Sequence, residues 1–416
     1  MGRPAHTLAD HIRQGSFRAR RHYELLHGPA VSWRAFALLQ SRYRAATSEP
    51  ERRAIALECE QTLTQIHAAA AAEERDDTTP RIDQELLKLG KPGSIKQLLG
   101  FFPHSLQHSK GPLCGQPFQL EPWQQRFLRE FYRRDCDGRR IYKRAVLGVP
   151  HGNGKTALAA GLGLYELVSN TDSPEVYLAA GAKAQARIGL DQARSMVEHG
   201  PLVDWVTTGS TLTCLSRGGT MEALSSQGAL HHGHAPSAAL IDELGTFTTS
   251  KQHETYTALA TALHKRPDSY LLATTTAAAN PDSLLGSIYQ QALKSGDITT
   301  SANGCLTIAK NTEAGTLLWW YGAPDGADPD NPKTLRACNP ASWISVPDLQ
   351  QQLRDPGLSE HDFRRHHLNQ WPPTQHTPLR ASHAAPGAHN HAHEAVTPEK
   401  LNELILEINR HYQQAR

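Results

Sequence analysis

A glycine-rich segment that ends in lysine and threonine is the strongest chemical signal in the chain. Residues 148–156 read Gly-Val-Pro-His-Gly-Asn-Gly-Lys-Thr, after a short apolar run and before an alanine-rich helical segment. Glycines let a chain curl tightly enough for backbone N–H groups at a helix N-terminus to bind phosphate. Lys155 would reach the β- and γ-phosphates of a nucleotide, and the Thr156 hydroxyl would ligate Mg²⁺. The segment predicts a phosphate-binding loop, although Val149 stands where the usual pattern has its first glycine.

An apolar run that ends in two acidic residues adds a second group of candidate side chains. Residues 238–243 read Ala-Ala-Leu-Ile-Asp-Glu, so a strand here would place Asp242 and Glu243 at the carboxyl edge of a sheet, beside the phosphate loop. Adjacent residues of an extended strand face opposite ways, and two acids in sequence can therefore take two roles. We expect Asp242 to hold the Mg²⁺ shell and Glu243 to orient and deprotonate an attacking water.

A third apolar run is followed by threonine hydroxyl groups. The run over residues 270–274 leads into Thr274, Thr275 and Thr276. Hydroxyl groups at the end of a strand could sense the γ-phosphate through the attacking water. Threonine is also a common strand residue, so the run taken alone is equally explained by strand preference.

Six short apolar runs could form the strands that position these groups. They alternate with helical segments from about residue 117 onward and comprise residues 145–149, 176–180, 238–241, 270–274, 305–308 and 317–321. Strands separated by helices imply parallel pairing in a sheet that is covered on both faces. The predicted fold is therefore α/β with a mostly parallel sheet, preceded by an α-helical N-terminal region.

Changes in composition divide the chain into five segments. Residues 1–80 have apolar residues at helical spacing, and residues 81–116 have the composition of a linker and lead-in. Residues 117–371 contain the alternation of strands and helices. The segment 372–396 is rich in Pro, Ala and His, which predicts disorder, and 397–416 predicts a last amphipathic helix.

The composition excludes several classes of protein. The 416 residues include 43 Lys+Arg and 41 Asp+Glu, and the formal net charge of +2 excludes a polybasic nucleic-acid coat. No apolar run approaches the roughly 18 residues of a membrane span, and no apolar stretch follows the first residues as in a secretory signal. The six cysteines include no C-x-x-C pair, which fits a reducing compartment. We expect a cytoplasmic protein that is neither secreted nor bound to a membrane.

Taken in order, the motifs resemble the large terminase subunit of tailed bacteriophages, a DNA-packaging ATPase, over roughly residues 95–371. The segment 118–124 is similar to the adenine-reading motif, 149–156 to a variant of the Walker A phosphate loop, and 237–244 to the Walker B catalytic acid strand. Further similar segments follow in the same order, namely residues 179–186, 272–277, 339–340 and 363–371. Several motifs in the right order are far more specific than any one of them.

This resemblance implies a P-loop NTPase fold of the additional-strand, catalytic-glutamate type. It implies that ATP is bound by Gln124 and by the loop residues Pro150, His151, Gly152, Asn153, Gly154, Lys155 and Thr156. Mg²⁺ would lie between Thr156 and Asp242. Glu243 and Lys155 would act in catalysis, and Thr275 or Thr276 would link the loss of the γ-phosphate to movement.

The resemblance also implies the biological role and the partners. The chain would be the motor subunit that drives viral double-stranded DNA into procapsids. Its partners would be the DNA, a small terminase subunit, a portal protein and further copies of itself in a homo-oligomeric ring.

Two departures from the family pattern bear on activity. His151 stands where the family loop usually carries an arginine, and a histidine would supply the same charge only when protonated. The family normally continues into an RNase H-like nuclease domain, whereas residues 372–416 contain no Asp. We therefore expect no endonuclease activity.

Two other interpretations stay open from these motifs. A helicase-like P-loop ATPase that acts on cellular nucleic acid would carry the same coarse motifs. An inactive, truncated prophage remnant would retain them without turning over ATP.

Overall fold

The computed structural model describes residues 81–371, apart from Lys110, Pro112 and residues 225–233, together with a few positions between 42 and 58. The predicted N-terminal helices therefore lie largely outside the described residues. The predicted disordered tail, 372–396, and the last helix, 397–416, lie wholly outside them. None of the helices in the described ranges has the length and apolar composition that a bilayer-spanning helix needs.

A mixed sheet of ten strands lies at the centre of the described chain. In chain order its strands are β1 (Arg144–Gly148), β2 (Glu175–Ala180), β3 (Val206–Thr207), β4 (Leu212–Cys214), β5 (Gly219–Ala223), β6 (Ala238–Asp242), β7 (Tyr270–Thr275), β8 (Asp297–Ser301), β9 (Leu306–Asn311) and β10 (Thr316–Tyr321). Across the sheet the order is β3-β4-β5-β2-β6-β7-β1-β10-β9-β8. The strands from β5 to β10 in this order pair in parallel, and antiparallel strands flank them on both sides.

All six apolar runs predicted as strands are strands in the structure, as β1, β2, β6, β7, β9 and β10. The prediction of parallel pairing is wrong for β9, which is antiparallel to both β10 and β8. Only a short connection separates β9 from β10, and such a connection permits an antiparallel hairpin but no parallel crossover. The sequence does not predict β3 or β4, which are two and three residues long. It also does not predict β5, which is only partly buried, or β8, which is exposed along its whole length, because neither forms a continuous apolar run.

Helices cover both faces of the sheet. In chain order they are α1 (Arg81–Leu89), α2 (Ile95–Ser105), α3 (Pro122–Phe131), α4 (Lys155–Ser169), α5 (Lys183–His199), α6 (Ser250–Ala262), α7 (Leu284–Ser295), α8 (Pro332–Cys338), α9 (Val346–Leu353) and α10 (Glu360–His367). Leu147 of β1 packs in a core with side chains of α1 to α5, whereas its neighbour Val146 packs in a second core with side chains of α6 and α7. The central strands are buried on both faces and therefore appear in the sequence as continuous apolar runs.

Helices α1 and α2 occupy the segment that the sequence predicts as a linker and lead-in. Phe101 and Phe102 of α2 are fully buried in the same core as α4. In addition, the Tyr165 hydroxyl of α4 donates a hydrogen bond of 3.0 Å to the side-chain oxygen of Gln97. Residues 81–105 are thus an integral part of the main core, because burial of their apolar side chains there removes that surface from water.

Helices α8, α9 and α10 form a small unit after β10. Their apolar side chains, among them Leu335, Leu349 and Phe363, pack with Cys305 and Leu368. Hydrogen bonds from this unit reach the loop after β1 and the segment after β7. Residues late in the described chain are therefore brought to the sheet edge at which β1, β6 and β7 end.

Candidate functional site

The predicted phosphate loop connects β1 to α4, so its strand-loop-helix context is confirmed. Gly152 and Gly154 have φ angles of +81° and +78°, values that glycine adopts at little cost and other residues rarely adopt. Helix α4 begins at Lys155, with Gly154 as its N-cap. The helix N-terminus, where unpaired N–H groups and the positive end of the dipole favour an anion, is therefore at the position that the sequence predicts.

Lys155 joins the loop to the acidic strand. Its amino group donates hydrogen bonds to the carbonyl oxygens of Val149 at 2.8 Å and Pro150 at 3.3 Å, and lies 3.4 Å from Oε1 of Glu243. The Lys155 side chain is only 6% exposed, and this burial lowers its pKa, although the Glu243 and Asp242 carboxylates oppose the shift. The loop and the strand end thus share one buried ammonium group.

Asp242 is held between two hydroxyl groups. It is the last residue of β6, next to Thr274 of β7 in the parallel register. Its Oδ2 accepts a hydrogen bond from Thr156 Oγ1 and its Oδ1 accepts one from Thr274 Oγ1, each at 2.7 Å. Burial raises the pKa of Asp242, and both hydrogen bonds act in the opposite direction. A carboxylate and a hydroxyl on adjoining elements are oxygen donors of the kind that a hard divalent cation prefers.

Glu243 does not continue the strand, and the expected alternation of the two acids along an extended strand is wrong. Strand β6 ends at Asp242, and Glu243 has a left-handed backbone with φ of +50°. A left-handed conformation costs a residue with a side chain roughly 1–2 kcal/mol, so local contacts must offset it. The Glu243 carboxylate receives such contacts, because its Oε2 accepts hydrogen bonds of 3.2 Å from both the N–H and the hydroxyl of Thr276. The turn thereby directs Glu243 toward Lys155.

The two predicted threonines after β7 have different partners. Thr276 contacts Glu243, and its hydroxyl also lies 3.2 Å from Nε2 of His151. The Thr275 hydroxyl instead accepts a hydrogen bond from Gly245 N–H at 2.9 Å and donates one to the Thr276 carbonyl at 2.7 Å. Thr276 is therefore the threonine whose side chain meets the acid, while Thr275 anchors the backbone that follows Glu243.

The matches to known proteins agree with this geometry. Residues 122–294 match the family model of the terminase large subunit, ATPase domain. Over 272 residues the chain is 30% identical to the terminase large subunit of Enterobacteria phage HK97, a match that covers 63% of this chain and 50% of that protein. The resemblance that the motifs predict is thus confirmed over residues 122–294.

One solved structure shows the same likeness in three dimensions. The crystal structure of the HK97 bacteriophage large terminase matches with a TM-score of 0.56 at 27% identity, over 67% of this chain and 55% of that one. The large terminase of a thermophilic bacteriophage matches with a TM-score of 0.39 at 12% identity, over 55% of this chain and 48% of that one. The chain therefore spans about half the length of the HK97 protein that it matches.

A pair of asparagines links the phosphate loop to the unit of α8, α9 and α10. The Asn153 amide donates to Oδ1 of Asn339 at 2.9 Å, and its oxygen accepts from Ala341 N–H at 3.2 Å. Asn339 in turn donates to the carbonyl of His367 at 2.8 Å. A further hydrogen bond of 2.8 Å links the Trp343 indole to the carbonyl of Gly152. The loop conformation thus depends on residues almost two hundred positions later in the sequence.

Gln124 lies apart from the residues that meet at the phosphate loop. It is fully buried in the first turn of α3, and its side-chain oxygen accepts a hydrogen bond of 2.9 Å from Glu121 N–H. The Glu121 carboxylate also accepts one of 2.8 Å from Ser342 N–H. The carboxamide nitrogen of Gln124 finds no acceptor among the described residues. The Gln124 carboxamide thus has a bonded oxygen and a buried nitrogen without a partner in the described part of the chain.

The surroundings of His151 lower its pKa. Its ring stacks on that of His366 with centroids 4.7 Å apart, and its backbone N–H donates a hydrogen bond of 2.9 Å to the His366 carbonyl. Burial first, and then the electrostatic influence of Lys155, the neighbouring histidines and Arg365, together lower the pKa of His151 to about 4. Position 151, where the resemblance leads one to expect an arginine, thus has a ring whose surroundings oppose protonation.

An open cleft of about 420 Å³ lies in front of these groups. Its lining includes His151, Gln185, Glu243, Thr276, Arg365 and His366. In the part of the chain that the structure describes, no cluster of three or more His, Cys, Asp or Glu side chains could hold a metal. Thr156 and Asp242, the pair of adjoining oxygen donors, line a separate small cavity with Gln185.

Several residues at the site were missed by reasoning from the sequence. Thr274 stands in the threonine run, but the run itself does not say which hydroxyl meets Asp242. Asn339 and Asn369 occur in segments that the family resemblance marks without giving them a role. Asn369 donates to the carbonyl of Tyr321 at 2.7 Å and accepts from Ala277 N–H at 2.6 Å. For Arg365, no sequence signal separates it from the other basic residues of its helix.

We predict that Asn339→Ala loosens the phosphate loop. The substitution removes the hydrogen bond that the Asn153 amide donates to Asn339 and the one that Asn339 donates to the His367 carbonyl, which should lower the free energy of unfolding by about 2 kcal/mol. Amide hydrogen exchange over residues 150–156 should become faster than in the wild type. The matched control is Asn331→Ala at the opposite end of α8, which removes an N-cap worth about 1 kcal/mol. Equal loop exchange in both variants would contradict the role of Asn339.

We also predict that His151 stays neutral through the physiological range. Its ring should titrate with a midpoint below about pH 5, because burial and nearby positive charge oppose protonation. NMR of the chain with labelled histidine measures the midpoint, and a His151→Gln variant assigns the signal. A midpoint above about pH 6 would show that the ring can carry charge when the protein works.

Proposed function

We propose that this chain binds ATP with Mg²⁺ and hydrolyses it as the motor subunit of a phage terminase. The observation that carries the proposal is the contact of Lys155, Glu243 and Thr276 beside the Asp242–Thr156 pair. Lys155 and Thr156 are the first residues of a helix, and Asp242, Glu243 and Thr276 lie at or directly after the ends of two strands. Regular secondary structure therefore fixes the backbone beside each of these side chains.

Lys155 and the loop would bind the β- and γ-phosphates of ATP. In the structure Lys155 divides its hydrogen bonds between loop carbonyls and lies near Glu243. A γ-phosphate would give its amino group a stronger anionic partner and would free Glu243 to contact water. Gln124 would contact the adenine through the amide N–H groups that have no partner among the described residues.

Thr156 Oγ1 and the Asp242 carboxylate would hold Mg²⁺, since both are hard oxygen donors and lie 2.7 Å apart. When bound, the cation would neutralise charge on the phosphates. Thr274 would keep the other carboxylate oxygen in place through its hydrogen bond.

Glu243 would orient a water molecule toward the γ-phosphorus and accept its proton. The new bond forms between the water oxygen and the γ-phosphorus, and the bond from that phosphorus to the bridging oxygen breaks, which leaves ADP and inorganic phosphate. Thr276 would detect the outcome, because its hydroxyl and N–H both contact the Glu243 carboxylate. Movement of Thr276 would pass along the segment tied to Asn369 and β10.

DNA and the other packaging components are further parts of this proposal. The likeness to the HK97 large terminase supports double-stranded DNA as the cargo, with a small subunit, a portal and a ring of identical chains as partners. DNA contacts made mostly to phosphates would tolerate any sequence and weaken with salt.

The test of the catalytic assignment is Glu243→Gln. Turnover of ATP with Mg²⁺ should fall by about 10²- to 10⁴-fold, because the amide cannot accept the proton, while the affinity for ATP stays within a few-fold of wild type. Glu254→Gln, an exposed acid on α6, is the matched control and should turn over ATP normally. ATP binding and steady-state phosphate release are measured on the same samples, with and without duplex DNA.

Three outcomes would contradict the proposed function. The first is a wild-type chain that fails to bind ATP, and the second is a Glu243→Gln variant that hydrolyses ATP at the wild-type rate. Unwinding of duplex DNA, with no movement along intact duplex, would instead favour a helicase-like ATPase.

A further inference from the structure

The cleft that faces the phosphate loop is open to solvent and contains little positive charge. Among the described residues that line it, Arg365 is the one lysine or arginine side chain. Lys155 contacts Glu243 of the cleft lining but is itself almost completely buried. Phosphoryl transfer builds negative charge on the oxygens around the γ-phosphorus, and a guanidinium group there stabilises that charge strongly.

Arg365 is fixed at the loop by its own helix. The residues that follow it on α10 contact the site directly, because the His366 carbonyl accepts from His151 N–H at 2.9 Å and the His367 carbonyl accepts from Asn339 at 2.8 Å. The last turn of α10 is therefore hydrogen-bonded to the phosphate loop and to the asparagine that supports it. The backbone of Arg365 has little freedom to move away from the cleft.

The guanidinium of Arg365 has fewer partners than its burial requires. The side chain is 24% exposed, and its buried Nε has no acceptor among the residues that the structure describes. Its ion pair with Asp362 is long, 3.6 Å, and the Asp362 side chain is 44% exposed. The neighbouring Arg364 differs, since it bonds to Glu360, to the Ala327 carbonyl and to Gln370. A half-buried guanidinium with unused donors is suited to an anion that enters the cleft.

The electrostatic effect of Arg365 on two histidines agrees with its position at the cleft. The charge of Arg365 is among the influences that lower the pKa of His151, which lies on the loop, and of His366, which lies on the cleft wall. The guanidinium is therefore close to the stacked pair of His151 and His366 beside the phosphate loop.

We propose that Arg365 is a catalytic residue of this ATPase, whose guanidinium binds the γ-phosphate of ATP held by the same chain and stabilises the charge that develops on it. The inference rests on the proposed function. It assigns to α10 the positive charge that position 151 of the loop does not supply.

The first experiment removes the guanidinium. In Arg365→Ala, kcat for ATP should fall by about 10²-fold or more, whereas the affinity for ADP, which lacks a γ-phosphate, should be unchanged. Arg365→Lys should recover only part of kcat, because an ammonium group cannot bind two phosphate oxygens side by side. The control is Arg354→Ala, which removes an exposed arginine that pairs with Asp330 outside the cleft and should retain wild-type kcat.

The outcomes separate the possibilities. A wild-type kcat in Arg365→Ala, with the wild-type chain active, would overturn this inference and leave the proposed function standing. Loss of ADP affinity together with kcat would show a structural role for Arg365, which also overturns the inference. A wild-type chain without ATP turnover would instead refute the proposed function itself.

The second experiment asks whether Arg365 acts within its own chain. Arg365→Ala and Glu243→Gln chains are each expected to be inactive, and they are mixed in equal amounts with duplex DNA present. If Arg365 acts on its own nucleotide, no site in the mixture is complete and turnover stays at the level of the separate variants. Turnover that rises toward a substantial fraction of wild type would show that Arg365 serves the site of a neighbouring chain, and it would overturn the assignment.

Discussion

Parallel pairing of β1, β7 and β6 is the constraint on which the candidate site depends. Their register sets Gly148 beside Thr275 and Asp242 beside Thr274, so that three strand ends reach one edge of the sheet together. Everything that contacts the phosphate loop from the sheet comes from the few residues that follow these ends. A shift of one residue in this pairing would turn the side chains to the opposite face and separate Asp242 from Thr156.

Burial makes the polar contacts at this edge interdependent. The ammonium group of Lys155 and the carboxylate of Asp242 lie within the protein, where an unpaired charge would be costly. Each is therefore supported by several hydrogen bonds, and the left-handed Glu243 is supported in the same way by Thr276. A substrate phosphate would enter a network in which Lys155 already has partners, so that binding redistributes existing hydrogen bonds and couples the loop to Glu243 and Thr276.

Local features of this site could be predicted from the sequence, and long-range ones could not. The loop, the acidic strand end and the threonine run are each encoded in a few consecutive residues, and the apolar runs identify the central strands. The turn at Glu243 could not be predicted, because the dipeptide Asp-Glu does not specify that the strand ends between its two residues. The Asn153–Asn339 contact and the position of Arg365 depend on how α8 to α10 fold back onto the loop, and no local pattern records that packing. The helices of residues 81–105 look like a lead-in for the same reason, since only tertiary contacts show that they belong to the core.

The central claim is that Thr276 holds Glu243 ready for catalysis over a loop-bound phosphate. It is tested most directly by single-turnover hydrolysis of ATP labelled at the γ-phosphate, with the full chain in excess over nucleotide. The account predicts that the wild type binds and cleaves the labelled ATP, and that Thr276→Val, which keeps the shape but removes the hydroxyl, binds it as tightly but releases phosphate about 10-fold or more slowly. Equal release by the two proteins, or tight binding without cleavage in the wild type, would contradict it.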